Sequence, residues 1–572
     1  MSGAGEEKAV LIGKRIRLCL LLVAIGLNIK YIFVDFGIDA EFQISMAYRL
    51  ATGDTMFKEM WEAYQMSAFL CAFFIKIYLM LFKTTTGLVL YLQVVGVLLD
   101  WAIAYLVYRT VDKYLHHQNV GFAMAWLLVV VSPKDVPMPE YANMQIWFSL
   151  LVCITLFLYD KTKQKILLVL SALSLCAAVL SYPSCLILVF GIAFLLLYKG
   201  EKKGLLIYLV VCAATAIVFL CVTMRNISLE EFGIFFENML AMETSHAVGA
   251  GEKFLAYLTD AGKIGLLLAS AYLIAYGMIK LVGARKESAG DKKSYAMLTD
   301  ILFCILVMLV GLYVIPNWRV YNRYSYSILF IAVIIVGVRY VKKLSGDKLY
   351  FYYCGTMISV LNFLATLILT DLELSGSVPY LLIAVVFAFV PISEAWKDAD
   401  EKVLGNALKR FVLLCGVLLL VFRNVYIIRP MYLQANTIFD IRGIVKTGPA
   451  IGIISEYMGP YMQNASVEEW EQYVPDGSNI WLIGDPLDTL GYLYADTNIA
   501  APSTVCTPGY NESVQEYWQM NPDKYPDVVI ASCWYGTLNS QLVNNEWIMN
   551  WLEEEFQPSH YVDGKYWRYY YK

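Results

Sequence analysis

Charge is scarce in this chain. Asp, Glu, Lys and Arg together make up 16% of its 572 residues, and their formal balance is −4. Without a basic excess it lacks the electrostatic footprint of a nucleic-acid binder. Histidine is nearly absent, and neither His246 nor the His116-His117 pair has partners at metal-ligand spacing. No repeat with a period of roughly 20 to 50 residues and no low-complexity segment is present. The 12 cysteines follow no metal pattern, and most, such as Cys19, Cys71, Cys153, Cys176 and Cys415, lie inside apolar runs where a thiol acts as a small hydrophobe. Cys506 and Cys533 stand apart in the polar C-terminal segment, where one disulfide between them is possible if that segment faces an oxidising side.

Apolar character is what the chain has in excess. Hydrophobic residues make up 59%, and the mean hydropathy of +0.57 lies far above that of a soluble domain. This excludes a secreted disulfide scaffold and a cytosolic enzyme, and implies a membrane protein. Aromatics reach 15%, with 42 Tyr and 13 Trp, more than a lipid-facing bundle requires. Some must line interfaces or a binding cavity, a composition common where sugars are handled.

The apolar runs and basic loops set a topology. Met1 to Arg17 is polar and ends basic, and the run after it reaches about Gly37 with no small-residue cleavage site, which reads as a retained first span with a cytoplasmic N-terminus. Basic loops recur at Arg109 to His117, Lys161 to Lys165, Lys199 to Lys203, Arg285 to Lys293, Lys342 to Lys348 and Lys397 to Arg410. The positive-inside rule makes them cytoplasmic. The segments between them, and everything after Arg429, then fall outside, which gives about 13 spans. Met66 to Phe82 must be left out of that count. It is short, contains Lys76, and reads as a juxtamembrane or re-entrant helix.

The expected fold is therefore an α-helical polytopic membrane protein, with a transmembrane domain over residues 1–429 and an extracytoplasmic α/β domain over residues 430–572. In the latter, Asn479 to Ile483 and Asp527 to Ala531 read as buried strands, Asn545 to Phe556 as a helix, and Ser559 to Tyr571 as a hairpin about Asp563-Gly564. The outside loop from Arg225 to Gly262 is expected to hold a short helix or two.

Charges cluster at one membrane edge. The first outer loop opens with Asp35, Asp39 and Glu41, followed by Ile44, Ala47, Tyr48 and Ala51 at the spacing of an interfacial helix that ends at Gly53-Asp54. Each acid alone suits a helix N-terminus; together they suggest a substrate path. A second acidic patch, Lys134 to Asn143, is held extended by Pro137 and Pro139 and places Glu140 just before a span. A carboxylate there facing the first loop gives a paired-acid arrangement suited to general-base and substrate-orienting work. The alternative is plain N-capping by Glu140 or Asn143. Positive charge is rare on this side, so Arg319 and Arg323 among aromatics suggest a site for a lipid phosphate, with Lys134 and Arg225 as weaker candidates. An aromatic and snorkelling-Arg anchor is the competing reading.

These residues resemble the GT-C superfamily of integral membrane glycosyltransferases, in particular the protein O-mannosyltransferases and the aminoarabinose transferase that modifies lipid A. The resemblance rests on Asp39, Ala47, Leu50 and Gly53 with Asp54 in the first loop, on Glu140 or Asn143 before a span, and on Arg323-Tyr324 opening a late one. It departs from the family in that Glu41 follows Asp39 by two positions, so either could be the family's acid. The resemblance implies a sugar moved from a polyprenyl-phosphate donor to an acceptor hydroxyl, with inversion. Asp39 would be the general base, Glu41 or Glu140 the orienting group, and Arg323 with Arg319 the charge on the leaving phosphate. Tyr324, Asn143 and Lys134 complete the expected substrate-binding set. No metal or cofactor is expected, and the acceptor is left open among glycan, lipid and protein. The family's range suggests a bacterial plasma membrane. A polytopic lipid or polysaccharide transporter is the rival class, although it usually carries inverted repeats and ionisable groups in the bundle interior. Here Asp100 and Lys76 are the main charges inside apolar runs, and Asp100 is expected to pair with a polar group of a neighbouring span.

Overall fold

The computed structural model describes the chain apart from residues 1–2, 133–135, 245–248, 284–288, 319–322, 371, 373, 398–405, 429–436, 485, 506–507, 535–536, 539–541, 543–544 and 557–559. The first helices are α1 (Gly3–Phe33), α2 (Ile38–Thr52), α3 (Ala68–Phe82), α4 (Leu88–Leu115), α5 (Gln118–Val130), α6 (Tyr141–Thr162) and α7 (Lys165–Ser181). Next come α8 (Leu188–Tyr198), α9 (Lys202–Thr223), α10 (Leu229–Thr244), α11 (Ala250–Gly283), α12 (Ala289–Trp318) and α13 (Arg323–Tyr340). The last of the bundle are α14 (Gly346–Leu369), the single turn α15 (Leu374–Ser377), α16 (Leu382–Lys397) and α17 (Asn406–Tyr426).

Among the described residues nine helices are long and apolar enough to cross a membrane, and four shorter apolar ones accompany them. The protein is a multi-pass membrane protein. Its basic loops gather on one face of the bundle. Arg17 Nη2 donates to Asn119 Oδ1 at 2.8 Å, Lys163 pairs with Glu201 at 2.9 Å, Lys199 with Asp160 at 2.8 Å, and Lys348 and Lys397 with Glu394 at 3.1 and 3.0 Å. Such partly exposed pairs contribute little stability; their value here is to show which helix ends lie together. The C-terminal segment packs on the opposite face, called here the domain face.

The helix α3 is the informative exception. With the turn before it, the stretch Gln65–Phe82 is long and apolar enough to span, yet both its ends sit on the domain face. At its start Gln43 Nε2 donates to the Ser67 carbonyl at 3.1 Å and Ser67 Oγ donates to Gln43 Oε1 at 3.0 Å. Just past its end Thr85 Oγ1 donates to the Leu493 carbonyl at 2.8 Å and Gly87 N to the Gly448 carbonyl at 3.2 Å. With α3 set aside, eight of those nine helices and the four shorter apolar ones remain among the described residues, against an expected number of about 13. Inside the bundle the Trp147 indole donates to Asp100 Oδ1 at 2.6 Å, so that acid is satisfied by a neighbouring span.

The C-terminal segment is an α/β layer. Its sheet runs in the order β4 (Asn498–Ile499), β3 (Asn479–Ile483), β5 (Val528–Trp534), β8 (Trp567–Tyr571), β7 (Tyr561–Asp563), with β6 (Thr537–Leu538) also paired to β5. The strands β3, β4 and β5 are parallel, whereas β8 is antiparallel to β5 and β7. Parallel strands covered on both faces read as continuous apolar runs, and Ile480 to Ile483 are all buried. Three helices, α18 (Met458–Tyr473), α19 (Pro508–Met520) and α20 (Glu546–Glu555), flank the sheet; a two-stranded ladder of β1 (Gly443–Ile444) and β2 (Ile454–Ser455) precedes it.

The sequence expectation of an interfacial α2 is corrected by this arrangement. Ala40, Glu41 and Gln43 to Arg49 are all buried, because α3 covers one side of the helix and the C-terminal layer the other. One hydrophobic cluster runs through Ile44, Trp61, Ile75 and Leu92 into Trp481, Ile530 and Tyr569. The first loop and the C-terminal layer therefore share a core and must assemble together. In the loop expected from Arg225 to Gly262, one helix, α10, stands on the domain face, and the next span already begins at Ala250.

Candidate functional site

Gly37 has no side chain with which to cap α2, so the acids Asp39 and Glu41 in its first turn are the groups that complement the exposed N–H ends. Asp39 is half-buried, and Glu41 is buried at 1% exposure. Asp35, just upstream at φ +62°, has another task. Its Oδ1 accepts from the Phe36 N–H at 2.7 Å and its Oδ2 from Ser455 Oγ at 3.0 Å, so it joins the first loop to β2.

The second acidic patch is built just as locally. Glu140 is the N-cap of α6, with Oε1 accepting from the Asn143 N–H at 2.9 Å. Asn143 in turn spends its Nδ2 on the Val136 and Met138 carbonyls at 2.6 and 3.0 Å. The capping alternative thus describes the local role of Glu140, whereas Asn143 is the residue it caps. The loop is also pressed onto α4, since a Cβ at Gly96 would stand 1.7 Å from the Pro137 carbonyl oxygen. A larger residue there would displace the segment that carries Glu140.

Asp39 and Glu140, distant along the chain, converge on one group. Both act electrostatically on the Tyr141 hydroxyl at the start of α6. Three more tyrosines surround that position on the domain face. Tyr64 stacks on Tyr141 with ring centroids 5.7 Å apart and meets Tyr182 at 5.7 Å; Tyr141 and Tyr182 are 6.0 Å apart, and Tyr380 lies 6.4 Å from Tyr182. Thr370 lies beside Tyr182, and Lys253 Nζ donates to the Thr370 carbonyl. The ends of α2, α6, α7, α11 and α14 therefore meet around two acids, four phenols and an ammonium.

Of the expected cationic residues, Lys134 and Arg319 lie outside the described residues. Arg323 and Tyr324 open α13, but their side chains also lie outside them. The helix they open packs against the turn Val378–Leu381 that holds Tyr380. Cys506 lies outside the described residues, and Cys533 is a buried thiol. Among the described residues no group of three or more His, Cys, Asp and Glu stands at metal-binding geometry.

A second polar constellation, at the far end of α2, has no counterpart in the sequence reading. Arg49 is fully buried, with Nε donating to Asp54 Oδ2 at 2.7 Å, Nη1 to Glu62 Oε1 at 3.4 Å and Nη2 to the Tyr517 hydroxyl at 3.2 Å. Burial alone pushes the guanidinium pKa down; Asp54 and Glu62 outweigh it and hold the charge in place. Glu62 fares differently. Burial pushes its carboxyl up more strongly than Arg49 pulls it down, and its Oε2 has no hydrogen-bond partner among the described residues. Only Gly53-Asp54, as a helix stop, hinted at this network from the sequence.

No family model and no curated protein matches the chain. Among solved structures the chain is similar to the archaeal oligosaccharyltransferase AglB from Archaeoglobus fulgidus, in complex with an inhibitory peptide and a dolichol-phosphate. The two are 12% identical, the match covers 91% of this chain and 70% of that one, and the TM-score is 0.43.

Proposed function

We propose that the protein is a membrane glycosyltransferase that moves a sugar from a polyprenyl-phosphate donor to an acceptor hydroxyl at the domain face, taken as the outer face of a bacterial plasma membrane. The observation that supports this reading is that Asp39 and Glu140 both act electrostatically on Tyr141, which stacks in a cluster of tyrosines near Lys253. Such a donor needs lipid for its isoprenoid tail and a polar rim for its phosphosugar.

In this scheme Asp39 takes the proton of the acceptor hydroxyl as its oxygen bonds the anomeric carbon. The bond from that carbon to the phosphate oxygen breaks on the opposite side, and configuration inverts. The electron pair leaves with the lipid phosphate, whose growing charge calls for a cation. Arg323 and Arg319 are assigned that role, with Lys253 as a further cation on the same face. Glu140, or Glu41, orients the hydroxyls of the sugar, and the tyrosines present flat apolar faces with hydroxyl rims. The scheme assigns no step to a resident metal or cofactor.

The test uses reconstituted membranes and a labelled polyprenyl-phosphate sugar. Release of free polyprenyl phosphate with the label moved to an acceptor supports transfer. Movement of intact donor across the bilayer, without release, would instead make the protein a transporter.

A further inference from the structure

The C-terminal layer closes against α2 along a buried seam, but its first elements lie at the bilayer edge. The ladder of β1 and β2, with the turn that joins them, runs across the ends of two spans. The Asp35 N–H, just past α1, donates to the Ile454 carbonyl at 3.0 Å. At the other end of the ladder the N–H groups of Gly87 and Val89, where α4 begins, donate to the Gly448 and Pro449 carbonyls at 3.2 and 3.0 Å. The ladder is thus held at the depth where the spans end.

The turn Ile438–Asp440 leads into it and carries Phe439, which is 75% exposed. On α17 the residues Leu414, Leu418 and Phe422 form an exposed apolar stripe at i, i+4 spacing, the lipid-facing side of that span. Phe422 stacks on Tyr426 with ring centroids 5.4 Å apart, and Tyr426 meets the edge of Phe439 at 5.9 Å. The stripe passes without a break from the span to the turn. Phe439 therefore stands where acyl chains can cover it, in the zone that aromatic side chains favour.

Beyond the turn the strand alternates. Arg442, Ile444 and Lys446 are exposed, whereas Val445 is buried and a Cβ at Gly443 would stand 2.6 Å from the Glu456 carbonyl oxygen. Neither cation has an ion-pair partner among the described residues. The acids nearest in sequence are turned to the backbone: Asp440 Oδ2 accepts from the Thr437 N–H at 2.9 Å, and Glu456 Oε2 from the Met458 N–H at 2.6 Å. A neutral glycan would leave both cations unanswered, and an acidic protein would have to push into the headgroup layer to reach them. Lipid phosphates are already there.

We infer that the turn Ile438–Asp440 and β1 form a seat for anionic phospholipid of the outer leaflet, with Phe439 among the upper acyl carbons and Arg442 and Lys446 on the headgroups. Apolar insertion and basic attraction act together at such surfaces. The seat fixes the height of the C-terminal layer over the bilayer, and it does not depend on the transfer reaction proposed above.

The experiment puts p-benzoylphenylalanine in place of Phe439 or of Ile444 in the full chain, reconstituted in vesicles of phosphatidylglycerol and phosphatidylcholine in equal parts, and weighs the products of irradiation. Both residues are exposed, so neither replacement should move the unfolding temperature; should one variant fold poorly, the other decides. A phospholipid adduct is expected at each position, with phosphatidylglycerol in excess. A cation beside an anionic headgroup is worth about a fivefold preference, so the excess should fall by about that factor in Arg442→Gln and reach parity when Lys446→Gln is added. Equal adducts of the two lipids in the parent, or an excess that survives both substitutions, overturn the inference. So does a chain-to-chain adduct, which would make the patch an interface between copies, and so does the lack of any adduct, which would leave it in water.

Discussion

Ser455 Oγ donates to Asp35 Oδ2 at 3.0 Å across 420 residues of sequence, and both residues are buried. This bond closes the joint between the end of α1 and β2, where Val34 and Ile454 also form a parallel bridge. A hydrogen bond to a charged, buried acceptor is worth about 1.5–3 kcal/mol. A double-mutant cycle with Asp35→Asn and Ser455→Ala, read by thermal unfolding of the full chain in detergent, should return a coupling in that range. Coupling near zero would mean that the joint is held by its apolar cluster alone.

Asp39 is only half-buried, so its replacement should be mild for the fold and severe for transfer. Asp39→Asn is expected to lower turnover by about 10²–10⁴, the usual contribution of a general base, while the unfolding temperature stays within about 1 °C of the parent (~1 kcal/mol by the usual scaling for a chain of this length). Transfer at the parental rate in Asp39→Asn would shift the role to Glu41, which Glu41→Gln then tests.

Glu140 has a structural task and a proposed chemical one, and two substitutions separate them. Glu140→Ala removes the acceptor for the Asn143 N–H and should cost about 1 kcal/mol as a lost N-cap. Glu140→Gln keeps an oxygen at that position and removes the charge. Parental stability with a raised KM for donor or acceptor is expected of Glu140→Gln; unchanged kinetics would leave Glu140 as a cap and nothing more.

The parts of the molecule that obey a simple period or a charge bias were legible from the sequence. The strands about Asn479 and Val528 and the hairpin at Asp563-Gly564 follow from apolar runs and turn chemistry. That Asp39 and Glu140 both act on Tyr141 required only that their loops share a face. Tyr64, Tyr182 and Tyr380 were not legible as neighbours, because three tyrosines on separate connections carry no mutual signal in one dimension. The burial of α2 was misread for a related reason. Its periodicity shows one apolar face, whereas its polar side is covered by a layer contributed more than 400 residues later, through Ser45 Oγ donating to the Thr489 carbonyl at 2.7 Å. The burial of Arg49 and Glu62 is hidden in the sequence for the same reason.

The Glu62 carboxyl gives the seam a pH dependence of fixed sign. Its folded pKa is raised, chiefly by burial and against the pull of Arg49, so the folded state holds the proton more tightly than the unfolded chain does. Stability assignable to this group is therefore greatest at acid pH and declines as pH climbs from its ordinary value, 4.5, toward the raised one. Unfolding temperature measured against pH should fall over that window more steeply in the parent than in Glu62→Gln, which cannot titrate. An identical slope in the two proteins would mean that Arg49 keeps Glu62 ionised throughout.

The sidedness of the whole site depends on α3, whose 15 residues rise about 22 Å against a hydrocarbon core of roughly 30 Å. If α3 crossed, Thr84 would lie on the face opposite Ser67, and the parity of every later helix would invert. In a cysteine-free background, single cysteines at Thr84, Gln164 and Glu471 probe this with a membrane-impermeant maleimide applied to intact cells. All three positions are exposed to solvent or headgroups. Thr84→Cys and Glu471→Cys should react alike from outside, and Gln164→Cys only after permeabilisation. The decisive result is the side from which Thr84→Cys reacts, since agreement between Thr84 and Glu471 is already required by the hydrogen bond from Thr85 to the Leu493 carbonyl. Should Gln164→Cys instead react from outside, with Thr84→Cys and Glu471→Cys reacting only after permeabilisation, α3 crosses the membrane. Asp39 and Glu140 would then be separated by the bilayer, and no single phosphosugar could reach both.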